Sequence, residues 1–397
     1  MKKILPLLIA LLVVFASIGG ATVAASSQIA AATKTVSILD FGADSTGQKD
    51  STAALNAALA ALPSDGGAIY FPRGTYIFSS IITFTMPNSN FSLSLVGDGP
   101  DVTFLKWAGG GGIYINYLSQ YNSVHVEGFS FVTGGGNVGT ALYLNQTAAS
   151  IANPANTALT TISNVTIRGV DGYAANDYWA NGIYVNGVSN INFTNLMTVG
   201  TSSFEGCGVY LKGSSAVIPV VFNFTGCTFN YCSKGIIYGN YVEGVTVSQC
   251  NFLATCGISA PANLLNLDQL AVIGSQFNCT SAGIVLNTCV PNTLIQNNLF
   301  IIPASAVGIQ LNSSGLFSIV GNAFNQGNNP SANNGIVVAG SVFPGIITGN
   351  AIEGMLGSGI WLKSTSNNVN VQSNVYSGNK TNVTNSGTSN KVGGGSS

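Results

Sequence analysis

Residues 235–258 read GIIYGNYVEGVTVSQCNFLATCGI, a stretch that begins and ends on a glycine–isoleucine step. A glycine followed by isoleucine or valine returns along the chain at intervals of 26, 27, 22, 26, 25, 27 and 24 residues. The steps are Gly182-Ile183, Gly208-Val209, Gly235-Ile236, Gly257-Ile258, Gly283-Ile284, Gly308-Ile309, Gly335-Ile336 and Gly359-Ile360. A nearly constant period of this size, without a helical pattern, predicts a solenoid in which each repeat is one coil of short strands.

Each repeat also contains a motif in which apolar and polar residues alternate. It is Val245–Phe252 in the quoted stretch. Equivalent motifs follow at 270–277, 293–300, 317–324, 345–352 and 369–376. Alternation of this kind is typical of half-buried strands, and the glycines and asparagines between the motifs predict turns.

Stacking these motifs in register, at about 4.8 Å per coil, brings equivalent residues of successive coils together. One row then contains Cys227, Cys250, Ser275, Asn298, Asn322, Asn350 and Asn374. We expect the asparagines to form a ladder that satisfies backbone groups of the turns, as side-chain ladders do in other stacked strands. Cys227 and Cys250 become neighbours in this row, and either a disulfide or a pair of buried thiols fits the sequence.

Charge and the N-terminal residues indicate where the protein acts. Charged residues make up 6% of the chain and the net charge is −1, so no basic surface is available for nucleic acid or an anionic membrane. Met1-Lys2-Lys3 and the apolar run over 4–18 are typical of a secretory signal peptide. We predict cleavage near residue 25 and a secreted protein, whereas an uncleaved segment would anchor the chain in a membrane.

The residues before the repeats resemble the N-terminal module of the pectin-lyase-like right-handed parallel β-helices. This group includes polygalacturonases, rhamnogalacturonases and tailspike-type depolymerases. The matching motifs are ILDFGAD at 38–44, DSTAAL at 50–55, GAIYFPRGTY at 67–76 and LVGDG at 95–99. The resemblance implies an all-β chain that folds as a single right-handed parallel β-helix and acts on a polysaccharide or another glycan. A homotrimer, as in the tailspike-like members, stays open.

A short amphipathic helix is predicted inside this module. Asp50 or Ser51 caps its start, and Pro63 follows its last turn at Leu62. A solenoid needs such an end cap to cover its open core. The predicted organisation is a signal peptide over 1–25, a β-helix over 34–376 and a flexible Gly/Ser/Asn-rich tail over 377–397. Within the β-helix, 34–110 form the cap module and 111–376 form the coils.

The catalytic motifs of the resembled group are not retained. Where polygalacturonases carry an acid directly before the glycine step, this chain has Asn181, and Gly206 and Cys207 replace the two acids of the next coil. Lys234 stands at the position of their histidine. An inverting hydrolase needs two carboxyl groups, so a polygalacturonase is not expected.

Pectate lyases of the group bind calcium through several carboxylates, and no such cluster lies near Arg168. No cofactor and no metal site are therefore predicted, while calcium bound by a few oxygens stays open.

An outward column of tyrosines is the most distinctive predicted surface. The residue after each glycine–aliphatic step points away from the core, because the flanking aliphatic residues point inward. In four successive coils this residue is Tyr114, Tyr143, Tyr184 and Tyr210. Flat rings beside asparagines suit the faces and hydroxyl groups of sugars, and we add Trp179 and Lys234 as substrate contacts. The alternative is a ladder of rings that only favours strand pairing.

Two pairs of carboxylates are candidates for chemistry. Asp177 and Glu205 stand at equivalent turns of neighbouring coils, and one coil spacing brings them into the roughly 5–9 Å range of two-carboxylate glycoside chemistry. The alternative role is turn capping. Glu243 and Asp268 form a second candidate pair, which would shift one pKa or bind a cation. Arg168 is a further candidate and is expected to pair with Glu127.

These observations predict a secreted polysaccharide-acting enzyme, either a glycoside hydrolase or a polysaccharide lyase. Asp177 and Glu205 would supply the acid and the base, and the tyrosine column would hold the glycan. The competing hypothesis is a non-catalytic extracellular protein that binds glycans or serves as a rigid structural rod. Loss of the polygalacturonase acids favours this second hypothesis, whereas the cap motifs and the tyrosines favour the first.

Overall fold

Successive coils place their strands side by side in three parallel sheets, which we call face 1, face 2 and face 3. The computed structural model describes residues 34–146, 157–303, 305–327, 333–340 and 343–393. The expected right-handed parallel β-helix is confirmed. The predicted signal peptide over 1–25 lies outside the described residues.

Each coil contributes one strand to each face, and five long strands bend across the corner between two faces. Face 1 consists of β1 (Thr35–Ser37), β3 (Gly66–Phe71), β6 (Ser92–Gly97), β9 (Ser123–Thr133), β11 (Thr160–Gly169), β13 (Ile191–Val199), β15 (Val220–Thr225), β17 (Glu243–Ser248), β19 (Asp268–Ile273), β22 (Thr293–Gln296), β25 (Phe317–Val320), β28 (Gly345–Thr348), β31 (Val369–Gln372) and β34 (Lys391–Val392). The second halves of β9, β11 and β13 continue onto face 2.

Face 2 adds ten further strands, and face 3 another ten. Those of face 2 are β2 (Thr46–Asp50), β4 (Gly74–Phe78), β7 (Thr103–Trp107), β16 (Thr228–Tyr238), β18 (Asn251–Ala260), β20 (Gln276–Asn278), β23 (Leu299–Ile301), β26 (Ala323–Asn325), β29 (Ala351–Glu353) and β32 (Val375–Ser377). The second halves of β16 and β18 belong to face 3. The other strands of face 3 are β5 (Ile82–Thr85), β8 (Ile113–Asn116), β10 (Val138–Asn145), β12 (Trp179–Asn186), β14 (Cys207–Lys212), β21 (Ala282–Leu286), β24 (Val307–Leu311), β27 (Asn334–Val338), β30 (Ser358–Leu362) and β33 (Thr381–Asn385).

The periodic glycines exist because two neighbours leave no room for a side chain. A Cβ at Gly283 would lie 2.6 Å from the carbonyl oxygen of Gly308 and 2.7 Å from the ring of Phe300. The same contacts recur at the glycine steps of the adjacent coils. The phenylalanines themselves form an internal stack, in which the Phe277 and Phe300 ring centroids lie 4.8 Å apart. Close packing of the core therefore imposes the sequence repeat.

The expected asparagine ladder is confirmed at the corner between faces 1 and 2. Asn298 donates from its backbone N–H to Oδ1 of Asn322 at 2.9 Å, and its own Oδ1 accepts from the N–H of Ser275 at 2.8 Å. Asn322 and Asn350 donate in the same way to the next asparagine. A residue with positive φ precedes each rung, such as Gly321 at 66°. The N–H of each ladder residue turns inward at this corner, and the next side chain provides its acceptor.

The cysteines at the start of the ladder are neighbours, as expected. The N–H of Cys227 donates to Sγ of Cys250 at 3.4 Å, and both residues are buried thiols. The interaction with Cys250 and burial raise the pKa of the Cys227 thiol. Of the two alternatives that the sequence left open, the structure has the thiol pair.

The N-terminal end is covered by the expected helix, α1 (Thr52–Ala60), after a 3₁₀ turn at Ile38–Phe41. Oδ1 of Asp50 accepts from the N–H of Thr52 at 2.9 Å, and Leu55 and Leu59 are among the residues that α1 buries. The helix ends two residues before the predicted Leu62. Among the described residues, no helix is long and apolar enough to cross a membrane.

The coils continue beyond the predicted C-terminal boundary at residue 376. β33 pairs in parallel with β30, and β34 pairs with β31. The prediction of a flexible tail from residue 377 is therefore wrong for these strands. Their polar composition misled the prediction, because these strands pair through their backbones while most of their side chains stay exposed or half-exposed.

Candidate functional site

The predicted tyrosine column lies on the outer surface of face 3. Tyr114, Tyr143, Tyr184 and Tyr210 occupy one register row on β8, β10, β12 and β14, and all four are half-exposed. The Tyr143 and Tyr184 ring centroids lie 5.0 Å apart with an interplanar angle of 18°, and the Tyr184 and Tyr210 centroids lie 4.9 Å apart at 20°. Tyr114 meets Tyr143 edge-on at 5.3 Å. The side chains thus form one continuous aromatic strip along the solenoid axis.

A row of amides borders the tyrosine column. Asn186 donates to Oδ1 of Asn145 at 2.8 Å, and Asn145 donates to Oδ1 of Asn116 at 2.9 Å. The hydroxyl of Tyr143 also donates to Asn145, at 3.3 Å. Because each amide is already oriented by its neighbour, its remaining donors and acceptors point in fixed directions. Burial raises the pKa of the Tyr184 hydroxyl, which therefore stays protonated as a hydrogen-bond donor.

Face 3 carries cations and lacks anions. None of its strands contains an aspartate or a glutamate. Lys212 continues the amide row, opposite Asn186. Lys234 lies on the other side of the tyrosine column from the amide row. It belongs to the register row that contains Asn181 and Cys207, and Cys207 is its neighbour in this row. The strands of face 3 therefore carry only positive charges, whereas the carboxylates of Asp177 and Glu205 lie in the turns that lead into β12 and β14.

The candidate acid and base lie at the entrance of two face 3 strands. Asp177 is half-exposed, and burial, with a smaller contribution from the Asp171 carboxylate, raises its pKa. Glu205 is exposed and accepts hydrogen bonds from the hydroxyls of Thr201 at 3.0 Å and Tyr178 at 3.3 Å. Asn181 pairs with Cys207 in the register of the two coils. Asp177 comes four residues before Asn181, whereas Glu205 comes two residues before Cys207. Glu205 therefore lies two residues farther along its coil than Asp177. The two carboxylates therefore share one corner of the solenoid but occupy different environments.

Trp179 is part of the core and does not contact the surface. Its side chain is 3% exposed and packs edge-on against Trp107, with ring centroids 5.8 Å apart. The predicted substrate contact is wrong for this residue, because β12 has its inward positions at Trp179 and Ile183 and its outward positions at Asn181 and Tyr184.

The second carboxylate pair occupies one register row on face 1. Glu243 and Asp268 are the first residues of β17 and β19 and lie opposite each other. Oδ1 of Asp268 accepts from the N–H of Gln269 at 2.8 Å and from Nδ2 of Asn292 at 2.9 Å. These bonds are those of a turn residue. Within the described residues, no group of three or more His, Cys, Asp or Glu side chains could hold a metal ion.

Arg168 pairs with Asp101, and the expected pairing with Glu127 is wrong. Nη2 of Arg168 lies 3.0 Å from Oδ1 of Asp101. Glu127 is at the end of face 1, opposite Ser163, whereas Arg168 is on face 2. The guanidinium also lies 5.0 Å from the centroid of the Tyr173 ring. Asp101 is 67 residues away in sequence, so no local pattern could have identified it.

Comparison with known families gives a match over more than half of the chain. The family described as rhamnogalacturonase A/epimerase, pectate lyase-like, matches residues 35–260. No curated protein sequence matches this chain.

Solved structures share the architecture at low identity. A surface adhesin of Streptococcus pneumoniae is 13% identical, covers 90% of this chain and 91% of its own, and has a TM-score of 0.53. A family 28 exopolygalacturonase of Yersinia enterocolitica is 12% identical, with coverage of 93% and 79% and a TM-score of 0.51. The catalytic unit of an α-1,3-glucanase from Streptomyces thermodiastaticus is 15% identical, with coverage of 93% and 70% and a TM-score of 0.52. At these identities the similarity is one of fold.

Proposed function

Because this chain belongs to the pectate lyase-like family of rhamnogalacturonase A and epimerases, we propose that it is an extracellular polysaccharide-acting protein that binds a glycan along the tyrosine column. The observation that carries this proposal is the continuous strip of half-exposed rings on face 3. Pyranose rings stack on aromatic faces, and the neighbouring amides supply donors and acceptors for hydroxyl groups. A strip parallel to the solenoid axis suits a chain of sugars better than a single sugar.

The charges of face 3 favour a polysaccharide that bears carboxylates. Lys212 and Lys234 border the rings on opposite sides, and the face 3 strands carry no competing acid. An ammonium group near a bound uronate gains Coulomb energy that a neutral sugar does not provide. Binding is therefore expected to weaken with salt, since these lysines are partly exposed.

In the catalytic version of the proposal, Asp177 is the acid and Glu205 is the base. Burial raises the pKa of Asp177, so this carboxyl retains a proton for the glycosidic oxygen more readily than an ordinary aspartate. Glu205 would take a proton from the water that adds to the anomeric carbon, and the leaving sugar would depart with the proton of Asp177. The non-catalytic version is favoured by a different observation, the absence of carboxylates from every strand beneath the tyrosine column.

The two versions are separated by binding and turnover on the same polysaccharide panel. Retardation in polysaccharide-containing gels measures binding, while reducing ends and the ultraviolet absorbance of unsaturated products measure hydrolysis and elimination. We expect Tyr184→Ala to weaken binding, because it removes the ring between Tyr143 and Tyr210. Tyr121→Ala is the matched control, since Tyr121 is 57% exposed and lies outside the column.

Loss of turnover in both Asp177→Asn and Glu205→Gln, with binding retained, supports the catalytic version. Full turnover in these variants excludes the assigned acid and base. Binding without any product supports the non-catalytic version. If the wild-type protein binds no polysaccharide of the panel, the proposed function is wrong in both versions.

A further inference from the structure

The C-terminal end of face 3 repeats the chemistry of the tyrosine column at a distance. We propose that Trp361 and its neighbours form a second saccharide-binding site, which holds a distal segment of the polysaccharide bound by the tyrosines. This inference rests on the proposed function and extends it to a second place on the same face.

Trp361 belongs to the same register row as the tyrosines. From Tyr210 the row continues through Ile237, Ser259, Val285, Gln310 and Val337 to Trp361. These six coil steps correspond to about 29 Å along the axis. Between the two ends, the row has aliphatic or short polar side chains and no aromatic ring. Ser259 and Val337 are buried, so the row is only partly open to solvent between its aromatic ends.

A depression of about 290 Å³ lies beside Trp361. Its lining includes Val285, Gln310, Asn334, Val337, Trp361 and Lys363. Apolar groups with a few oriented polar groups are typical of sites for small ligands. Trp361 is half-exposed at the edge of this depression, so one sugar ring can pack on the indole while its hydroxyls face the amides.

Amides also form a short hydrogen-bonded row on this part of face 3, two and three coils before Trp361. Asn312 donates to Oδ1 of Asn287 at 2.5 Å, and Gln310 donates to Oδ1 of Asn312 at 2.9 Å. Nζ of Lys363 lies 4.9 Å from the centroid of the Trp361 ring. An aromatic group and a lysine thus lie together here, and Gln310 connects the amide row to the depression beside them.

Strand pairing alone does not account for an indole at this position. The tyrosines support one another through ring stacking, whereas the row neighbours of Trp361 are Val337 and Thr384. The ammonium of Lys363 lies 4.9 Å from the centroid of its ring, and no aromatic row neighbour packs on the half-exposed indole. Ligand binding provides a reason for this exposure.

With two sites on one face, the affinity for a polysaccharide depends on the length of the polysaccharide. Once a polysaccharide is bound at the tyrosines, its distal segment meets the second site at a high effective concentration. A chain that spans both sites gains affinity, whereas a trisaccharide occupies only one site. The proposal therefore predicts that Trp361 matters for polymers and not for short oligosaccharides at the tyrosine column.

The test compares Trp361→Ala, Tyr184→Ala, the double variant and the control Tyr121→Ala. The probes are polygalacturonate, rhamnogalacturonan, alginate and α-1,3-glucan, used in retardation gels, together with the trisaccharide of each retarding polymer in titration calorimetry. We expect Trp361→Ala to lose on the order of 10- to 100-fold in polymer affinity and to leave the affinity for the trisaccharide unchanged. Trp361→Phe should restore much of the loss, which separates stacking from folding.

The failures of the two proposals are distinguishable. Polymer affinity that is unchanged in Trp361→Ala, but reduced in Tyr184→Ala, overturns the second site and leaves the proposed function intact. An equal loss for the polymer and the trisaccharide in Trp361→Ala also overturns the second site, because it indicates a general disturbance. No retardation of the wild-type protein by any probe overturns both proposals.

Discussion

Replacement of Asn322 is the most informative test of how the solenoid is held together. Asn322 is 1% exposed. Its Oδ1 accepts from the backbone N–H of Asn298 at 2.9 Å and from Nδ2 of Asn298 at 3.0 Å. Its Nδ2 donates to the carbonyl oxygen of Ile295 at 2.9 Å and to Oδ1 of Asn350 at 3.0 Å. One side chain thus connects three consecutive coils.

The cost of Asn322→Ala follows from the groups that lose their partners. The N–H of Asn298 loses its acceptor, and a buried group without a partner costs about 1–3 kcal/mol. The bonds to Nδ2 of Asn298 and to Ile295 are lost as well, although each of these groups has other contacts. We expect the free energy of unfolding to fall by about 2–4 kcal/mol.

Asn322→Ser distinguishes hydrogen bonding from packing, because serine is close to alanine in size. Serine already serves this role one coil before the asparagines, where Oγ of Ser275 accepts from the N–H of Cys250 at 3.1 Å. A serine at position 322 should therefore recover about 1 kcal/mol or more relative to alanine. Urea unfolding followed by tryptophan fluorescence and circular dichroism gives the free energies.

Asn370→Ala is the control, since Asn370 is half-exposed on the outer side of β31. It should change the free energy of unfolding by less than about 0.5 kcal/mol. Equal destabilisation by Ala and Ser at position 322 would show that the ladder acts through packing. A loss below about 1 kcal/mol in Asn322→Ala would refute the reasoning about unpaired buried groups.

Two further predictions concern the glycine steps and the N-terminal cap. Gly283→Ala should lower the free energy of unfolding by about 1–3 kcal/mol, because the added Cβ would lie 2.6 Å from the carbonyl oxygen of Gly308. Gly109→Ala is the control, since a Cβ there would meet open space. This control should change the free energy of unfolding little in the same urea titration. The hydrogen bond from Ser79 is the main cause that lowers the pKa of Asp50 to about 2. The stability from Asp50 should therefore be complete above about pH 4 and be lost as the pH falls towards 2, and Asp50→Asn should flatten this part of the curve of melting temperature against pH.

The repeat made much of the fold predictable, and each error has its own cause. The asparagine row and the tyrosine column followed from counting residues within repeats of similar length. Arg168 was assigned to the wrong partner because Asp101 reaches it from a distant part of the chain. The sequence did not indicate that the Trp179 side chain points into the core, because the glycine step interrupts the alternation of inward and outward residues along β12. Trp361 follows Gly359-Ile360, which is the same signal that identifies the tyrosines.

The sequence by itself determined the periodic architecture, because each glycine step and each ladder residue meets the same neighbours one coil away. It also determined the outward row of tyrosines on face 3, since that row follows directly from the residue after each glycine step. Only the tertiary structure decided the environments of the carboxylates and the pairing of Arg168, because these depend on side chains brought together across corners of unequal length. The tertiary structure also decided the depression beside Trp361, since its lining comes from four successive coils.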